Sequence, residues 1–265
     1  MEATYIIGGL GVLGSAMARA FEGSVVIDTA DPSTLVRYHE MRAGQMAFLC
    51  LPTPYDPFAG DYDLSAVRAS LECIPPGVIV VLRSTVTPAT FSPRVFKQPW
   101  VYHPEFLRAR CAFEDFIGAG VHVYGVELGT RRHVDAIEKV YRAAGIHAKN
   151  VIVLTAAQAA WLKLAHNAWC AMNVAMANEM ACYVRRAVGG DWDTLRCALA
   201  DVLEANGKSW RAFSATPGPD GRRGFGGSCF PKDTAALAGA MARAGGVRDV
   251  VEGVLASNAK VRVVE

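Results

Sequence analysis

The sequence predicts an α/β protein in which a doubly wound sheet is followed by an all-helical domain with a long central helix. Two observations lead to this prediction. Short apolar runs alternate with helical patterns in the first part of the chain, which is typical of a parallel sheet covered on both faces. After Leu154 no further strand pattern occurs, and the stretch from Thr155 to Arg186 contains neither glycine nor proline. We therefore predict a domain boundary at residue 154.

A sheet is predicted in the first domain, residues 1–154, because it contains short apolar runs with turn residues on both sides. The predicted strands are Tyr5–Ile7, Val25–Asp28, Met46–Leu51, Val78–Leu82, Gly120–Tyr124 and Val151–Leu154. Helical periodicity predicts intervening helices at Val12–Phe21, Leu64–Ile74 and Arg131–Ala144. Strands that alternate with helices in this way build crossover units, whose strands run parallel.

The second predicted domain, residues 155–265, opens with Thr155-Ala-Ala-Gln158. This is a capping box, in which the Thr and Gln side chains satisfy free N–H groups at a helix start. The central helix begins there and continues to about Arg186. Further helices are predicted near residues 193–205, 234–244 and 247–260, and a loop rich in Gly, Pro and Arg at 214–228.

Composition excludes several classes of protein. The chain has 265 residues and a formal net charge of only +2, which argues against a dedicated nucleic-acid binder. Its longest apolar run is Met46–Leu51, too short to span a membrane, and no secretory signal is visible. The 7 cysteines are widely spaced and show no zinc-ligand pattern, so no metal is expected. We expect a cytoplasmic protein with reduced thiols.

A glycine turn follows the first predicted strand. Gly9, Gly11 and Gly14 form G-x-G-x-x-G between that strand and a helix. We predict that Gly9 allows the tight turn and that Gly11 lets a pyrophosphate approach the backbone. Gly14 is predicted to let the helix and the strand pack closely. The free N–H groups at the helix start, Val12 and Leu13, would bind the phosphates. This pattern indicates a Rossmann-like dinucleotide-binding domain.

The cofactor is predicted from the end of the second strand. Asp28 lies about 20 residues after Gly9, where an acidic residue binds the adenosine ribose. The residues that follow are Thr29-Ala30-Asp31, and no arginine is close by to accept a 2′-phosphate. These features favour NAD over NADP.

The loop near the end of the chain contains a distinctive cysteine. Cys229 follows Gly-Gly-Ser and precedes a helix start at Asp233, and both that helix end and Lys232 favour a thiolate. It is therefore a candidate nucleophile, with a buried core cysteine as the alternative. On the central helix, Lys163 and Asn167 share one face at i and i+4. They could stabilise an oxyanion or form a solvated polar stripe.

Residues 224–233, Gly-Phe-Gly-Gly-Ser-Cys-Phe-Pro-Lys-Asp, resemble the active-site cysteine motif of the UDP-glucose/GDP-mannose dehydrogenase family. Other segments resemble that family in the same order: Leu51-Pro52-Thr53-Pro54, Ser84-Thr85-Val86, Pro104-Glu105-Phe106-Leu107-Arg108, Lys163 with Asn167, and Asn178-Glu179. The resemblance extends from about residue 4 to about residue 260.

The resemblance implies an NAD-dependent nucleotide-sugar 6-dehydrogenase, most simply one that converts UDP-glucose to UDP-glucuronate in two hydride transfers through a cysteine thiohemiacetal and thioester. The implied catalytic residues are Cys229, Lys163, Asn167, Asp233, Glu105 and Thr85. Cofactor contacts are implied for Pro52, Thr53, Ser84 and Thr85, in addition to the glycine turn and Asp28. Substrate contacts are implied for Glu105, Phe106, Leu107, Arg108, Lys163, Asn167, Phe225, Gly226, Gly227 and Cys229.

The chain departs from the family pattern at Ala109, where an acid is usual, at His103, usually Asn, and at Gln158. Family members also continue with a third domain that completes the nucleotide-sugar site, so this chain is expected to be a short form or a fragment. Two alternatives remain open. One is a non-catalytic NAD-binding or assembly protein, and the other is a 3-hydroxyacid or 6-phosphogluconate-type dehydrogenase, which would need no cysteine.

Assembly is predicted from the central helix. Its large apolar side chains cover more than one face, and a small helical domain offers few partners to bury them. They are Trp161, Leu164, Trp169, Met172, Met176 and Met180. In the family this helix pairs with its copy, so we expect a homodimer through residues 155–186.

Overall fold

A computed structural model gives the fold. It describes residues 3–56, 58–59, 61–91, 98–127, 129–205, 220–226, 231, 238–239 and 241–263. Two compact units are present, Met1–His166 and Asn167–Glu265. The predicted boundary at residue 154 lies 12 positions before the division between these units, because the start of the central helix packs on the sheet.

The first unit is built on a seven-stranded sheet with the order β2-β1-β3-β6-β7-β8-β9. Its strands are β1 (Thr4–Ile7), β2 (Val25–Ile27), β3 (Met46–Leu49), β6 (Ile79–Leu82), β7 (Trp100–Tyr102), β8 (Val121–Val126) and β9 (Asn150–Thr155). A small hairpin, β4 (Tyr55–Asp56) and β5 (Asp61–Tyr62), lies outside this sheet. The predicted strands are therefore present in one sheet.

Two features of the sheet differ from the prediction. Strand β7 has only three residues, too few for an alternation pattern to reveal it. It pairs antiparallel with β8, where Tyr102 faces Gly125, whereas every other pair in the sheet is parallel. The expectation of a wholly parallel sheet is thus wrong at this one junction.

Helices cover both faces of the sheet. The α-helices are α1 (Val12–Ala20), α2 (Ser65–Cys73), α3 (Ala112–Ile117), α4 (Arg132–Ala143), α5 (Ala156–Tyr183), α6 (Trp192–Ala205) and α7 (Asp249–Val263). A 3-10 segment, Pro32–Glu40, takes the place of a helix after β2. None of the described helices is long and apolar enough to cross a lipid bilayer.

Alternation along the strands produces two separate cores. On β3, Ala47 and Leu49 pack in the cluster that includes Val67 of α2, whereas Phe48 packs with Met17 of α1 and Ile137 of α4. Side chains of a strand alternate between the faces of its sheet, so a strand buried on both faces is apolar throughout. The continuous apolar runs of the sequence have this cause.

The start of α5 packs directly on the sheet. Thr155 and Gln158 form the predicted capping box, with each side chain accepting the backbone N–H of the other residue at 3.3 and 3.0 Å. Ala156 and Ala159 are fully buried in the sheet core. A Cβ at Gly125 of β8 would lie 2.7 Å from the Ala156 Cα, so this close approach requires glycine.

Within its described residues the second unit consists of helices joined by turns and loops, and it contains no strand. It comprises the rest of α5, a π turn at Val184–Val188, α6 and α7. A small core joins Met241 and Val251 with the partly buried Met176, Tyr183 and Leu255. Of the helix predicted at 234–244, residues 238–239 and 241–243 are described and are helical.

Candidate active site

The glycine turn connects β1 to α1. The left-handed residue is Gly8, with φ +80°, and the φ of Gly9 is not positive. Gly9 is required for another reason, because a Cβ there would lie 2.5 Å from a methyl group of Val26. The Gly11 N–H donates to the Gly8 carbonyl at 3.2 Å, so Gly9 and Leu10 are the central residues of a tight turn, which is where the sequence interpretation placed Gly9.

Gly11 and Gly14 have different surroundings. A Cβ on Gly14 would overlap the carbonyl oxygen of Gly8, so the approach of α1 to the turn depends on this glycine. At Gly11 the nearest atom, the Gly8 oxygen, would be 3.4 Å from a Cβ, and the backbone is extended at φ −73°. The protein itself does not require glycine at position 11. At the start of α1, Val12 is exposed and Leu13 packs against the core.

Asp28 lies at the end of β2 beside the glycine turn. Its carboxylate accepts the N–H of Leu10 through Oδ2 and the N–H of Ala30 through Oδ1, both at 2.9 Å. The side chain is half-buried. Each carboxylate oxygen can accept more than one hydrogen bond, so Asp28 is fixed in place and still able to bind hydroxyl groups.

The loops after β3 and β6 are joined by side-chain hydrogen bonds. The Thr53 hydroxyl donates to the Thr85 carbonyl at 2.7 Å. The buried Ser84 hydroxyl accepts the Leu51 N–H at 3.0 Å and donates to the Leu49 carbonyl. Ser84 therefore holds the end of β3 in place, and Thr85 is half-buried beside it. Pro52, in the same loop as Thr53, is exposed.

Glu105 and Lys163 form an ion pair inside the first unit. Lys163 Nζ lies 2.8 Å from Glu105 Oε1, with the lysine side chain 4% exposed and that of Glu105 21%. Glu105 Oε2 accepts the N–H of Leu107 at 2.8 Å. Charge-assisted bonds of this length are the strong ones, and at this depth an unpaired lysine would be disfavoured. The structure thus joins two of the predicted site residues, which lie 58 positions apart in the sequence.

Aromatic and apolar groups surround this ion pair. The Phe106 ring lies 5.5 Å from Lys163 Nζ and packs edge-on against the ring of His166. A cavity of about 550 Å³ opens beside Glu105. Its lining includes Arg83, His103, Glu105, Phe106, Leu107 and His166.

Arg108 is already engaged by the protein. Its guanidinium binds the two oxygens of Asp115 at 2.9 and 2.7 Å, and its backbone N–H donates to the same carboxylate. The bonds from Arg108 hold the pKa of Asp115 well below its usual range. Arg108 therefore anchors the loop after β7, and its side chain remains 64% exposed.

A cluster of buried polar side chains contributes to the same cavity lining as Glu105, and the sequence singles out only one of its members, His103. Arg83 donates to the Tyr141 hydroxyl at 2.6 Å, and His122 Nδ1 lies 2.7 Å from Glu138 Oε1. His103 Nδ1 lies 2.7 Å from the Val123 carbonyl. All of these side chains are buried. The signal that could have found them is a histidine inside the apolar strand β8 and a glutamate on the apolar face of α4.

Burial fixes the protonation of the histidines in this cluster. It lowers the pKa of His103 well below the usual value of 6.5, and the positive charge of Arg83 lowers it further. Burial also lowers the pKa of His122, against the opposing effect of Glu138. Both rings are therefore neutral at pH 7. Burial raises the pKa of the Cys50 thiol to about 12, so this cysteine is unreactive.

The remaining predicted residues belong to the second unit. Asn167 is exposed on α5, Phe225 and Gly226 are half-buried, and the Phe225 backbone is bonded to Asn258. Gly227, Cys229 and Asp233 lie outside the described residues. The side chains of Asn178 and Glu179 are likewise not described.

Comparisons with known proteins find relatives along most of the chain. A model of the UDP-glucose/GDP-mannose dehydrogenase family, central domain, matches residues 157–260. A UDP-glucose 6-dehydrogenase from Haloferax volcanii is 32% identical over 231 residues, which cover 79% of this chain and 50% of the relative. One from Rhizobium meliloti is 31% identical over 210 residues, 74% and 45% of the two chains. The chain spans about half the length of these relatives.

The fold agrees with these similarities. A GDP-mannose dehydrogenase from Pseudomonas aeruginosa superposes with a TM-score of 0.78 over 97% of this chain and 68% of that one, at 23% identity. The matched regions take in both the dinucleotide-binding pattern and the long central helix. The similarity in sequence, the family model and the shared fold agree, and the chain belongs to the UDP-glucose/GDP-mannose dehydrogenase family.

Proposed function

We propose that the protein is an NAD-dependent nucleotide-sugar 6-dehydrogenase that oxidises UDP-glucose to UDP-glucuronate. The observation that carries this proposal is the buried ion pair of Glu105 and Lys163, because each belongs to a motif shared with the family. We choose UDP-glucose as the substrate because relatives of this chain are UDP-glucose 6-dehydrogenases.

The residues of the glycine turn fit a dinucleotide. The surroundings of Gly11 leave space beside the backbone, and the start of α1 offers N–H groups at Val12 and Leu13. Asp28 can accept two ribose hydroxyls but would repel a 2′-phosphate, which favours NAD. Pro52 and Thr53 lie on the loop after the next strand, where such sheets bind ligands. NAD⁺ held by these residues would supply the hydride acceptor for each of the two oxidations.

Cys229 supplies the covalent step. In the first oxidation C6 loses a hydride, and its hydroxyl proton passes through a water to Asp233, which leaves an aldehyde. The Cys229 thiolate adds to the aldehyde carbon and forms a thiohemiacetal. Loss of the second hydride from the same carbon gives a thioester. Covalent capture keeps the aldehyde in place between the two oxidations.

Lys163 stabilises the oxyanions of these intermediates. An ammonium group carries three N–H donors, and Glu105 accepts one of them. The others are free to bind a developing negative charge on the substrate, together with the amide of Asn167. Because Lys163 is almost fully buried, its charge acts there with little screening by water.

Glu105 and Thr85 position the water that hydrolyses the thioester. Glu105 is held at both oxygens, by Lys163 and by the Leu107 N–H, so its remaining lone pairs have fixed directions. Water passes one proton to Glu105 as it attacks the thioester carbon, the C–S bond breaks, and the Cys229 thiolate leaves. The sugar carboxylic acid that forms ionises to the carboxylate, and Glu105 and Asp233 release their protons to solvent, which regenerates the enzyme.

Phe106, Leu107, Arg108, Phe225, Gly226 and Gly227 contact the nucleotide sugar in this proposal. Arg108 would contact the nucleotide sugar through the exposed edge of its guanidinium, because Asp115 binds the opposite edge. A homodimer through α5 completes the proposal, supported by the exposed Trp161 and Met172.

The function is tested by incubating the protein with NAD⁺ and a panel of UDP- and GDP-sugars, following NADH and product mass. We expect two NADH for each carboxylate formed. Cys229→Ala should abolish the second oxidation, whereas Cys170→Ser, at an exposed cysteine of α5, should leave turnover unchanged. Unchanged turnover in Cys229→Ala would refute the covalent mechanism. NAD⁺ binding without turnover on any nucleotide sugar would favour the non-catalytic alternative.

A further inference from the structure

Two residues of α7 hold the loop that leads to the cysteine motif. Asn258 and Arg262 lie one turn apart, at i and i+4, and therefore share a face of the helix. We call this pair the α7 clamp. Both bind residues 220–226, the described segment that ends three positions before Cys229.

Asn258 binds the loop as a neighbouring strand would. Its Oδ1 accepts the Phe225 N–H at 2.7 Å, and its Nδ2 donates to the Phe225 carbonyl at 3.0 Å. Both backbone polar groups of Phe225 are thus satisfied by one side chain. An amide can make this pair of bonds, whereas a carboxylate of the same shape lacks the donor.

Arg262 binds three further residues of the loop. Its guanidinium donates to the Arg223 carbonyl at 3.1 Å and to the Asp220 carboxylate at 2.6 Å. Its own carbonyl accepts a bond from the Arg222 side chain at 2.9 Å. The bond from Arg262 lowers the pKa of Asp220, so the ion pair persists at neutral pH.

The glycines of the loop fit against these two side chains. Gly224 has φ +73°, and a Cβ there would overlap Asn258 Oδ1. At Gly226 a Cβ would overlap the guanidinium of Arg262. The contact with α7 therefore accounts for the absence of a side chain at both positions.

We propose that Asn258 and Arg262 are positioning residues for the cysteine chemistry, because they fix the point at which the chain enters the motif that carries Cys229. The inference rests on the proposed function. A nucleophile displaced by about 1 Å can lose about 100-fold in rate. Three residues of chain span at most about 11 Å, so the position of Gly226 limits where Cys229 can lie.

The test compares Asn258→Ala, Asn258→Asp and Arg262→Ala with Lys260→Ala, an exposed control on the same helix. We expect a 10- to 100-fold lower kcat for NADH formation in the first three and wild-type kcat in the control. The KM for NAD⁺ should stay within twofold, since the cofactor residues belong to the first unit. Asn258→Asp should be as damaging as Asn258→Ala, because it keeps the shape and loses the donor. Arg262→Lys, which keeps one donor, should restore part of the rate.

A second readout does not depend on turnover. Alkylation by iodoacetamide, followed by mass spectrometry, gives the rate at Cys229 relative to that at Cys197, an exposed cysteine of α6. This ratio should change at least threefold in the three clamp variants and remain constant in Lys260→Ala. The alkylation ratio reports the effect of the α7 clamp on Cys229 even if no nucleotide sugar is a substrate.

The outcomes separate the two proposals. Absence of wild-type turnover refutes the proposed function alone. Folded clamp variants with wild-type kcat and a wild-type alkylation ratio overturn the positioning role and leave the function standing. If the variants do not fold, hydrogen exchange of the wild-type protein still tests the inference. The Phe225 amide should exchange as slowly as the amides of α7. Exchange at the rate of a free loop would overturn the inference.

Discussion

Burial sets the protonation of His103, a single residue of the first unit. His103 occupies the position before the Pro-Glu-Phe-Leu segment, and its ring is held neutral beside Arg83. An unfolded chain would protonate this ring below pH ~6.5. The unfolded state therefore binds more protons in acid, and the full stability is present only above that pH.

Acid should consequently destabilise the protein through His103. We expect the free energy of unfolding to fall by up to ~1.4 kcal/mol per pH unit for this group below pH ~6.5. His103→Asn should reduce the slope between pH 7 and 5, whereas His147→Asn, at an exposed residue, should not. Urea denaturation at three pH values measures the slope. Equal slopes for His103→Asn and wild type would contradict the assignment.

Asp28 makes a second prediction at this scale. Its carboxylate lies against the glycine turn and should favour a free ribose over a 2′-phosphate. We expect calorimetry to show NAD⁺ binding at least ~10-fold more tightly than NADP⁺, which corresponds to ~1.4 kcal/mol. Asp28→Asn should narrow this difference. Equal binding of the two cofactors by the wild type would remove the ribose role from Asp28.

The elements of the first unit meet at glycines, which serve different purposes. Gly14 sets the distance between α1 and the turn, whereas the structure leaves space at Gly11. A methyl group should therefore reduce the stability of the fold at position 14, and it should weaken cofactor binding at position 11.

Gly14→Ala should destabilise the fold by about 1–3 kcal/mol, the usual range for overpacking. Gly11→Ala should change the free energy of unfolding by less than ~0.5 kcal/mol, as surface substitutions do, yet weaken NAD⁺ binding at least ~10-fold. Urea denaturation and calorimetry on both variants decide this. Loss of stability in Gly11→Ala, or wild-type NAD⁺ affinity, would refute the comparison.

The elements also show where sequence reasoning succeeds. β3 and β6 are apolar throughout because helices cover both of their faces, so their pattern is visible in the sequence. β7 is three residues long and leaves no pattern. The sequence singles out Glu105 and Lys163 separately, but their ion pair exists only because β7 and α5 meet in space. The sequence pattern shows where a strand or helix begins. It does not show that Lys163 pairs with Glu105, which lies 58 positions away.

At the scale of the whole molecule, the described surface retains large apolar side chains. Met172 of α5 is 54% exposed, as is Val188 in the π turn. The two have equal exposure, but only Met172 lies in the helix that we expect to pair with its copy. This makes them a matched pair for testing the homodimer.

Light scattering at micromolar concentration should give twice the mass of one chain. Met172→Glu places a charge in the proposed interface and should shift the protein towards monomer, whereas Val188→Glu should leave the dimer intact. A wild-type monomer would contradict the dimer. Equal effects of both substitutions would place the interface elsewhere.

The space at Gly11 has a consequence for the history of the family. Gly8, Gly9 and Gly14 are constrained by contacts within the fold itself. Position 11 is not constrained by the fold, and under the proposed function only a bound dinucleotide would constrain it. A lineage that gave up its cofactor would be free to change there first, while its three other glycines persisted. Substitution at this one site across related sequences would therefore separate members that kept the cofactor from those that only inherited the scaffold.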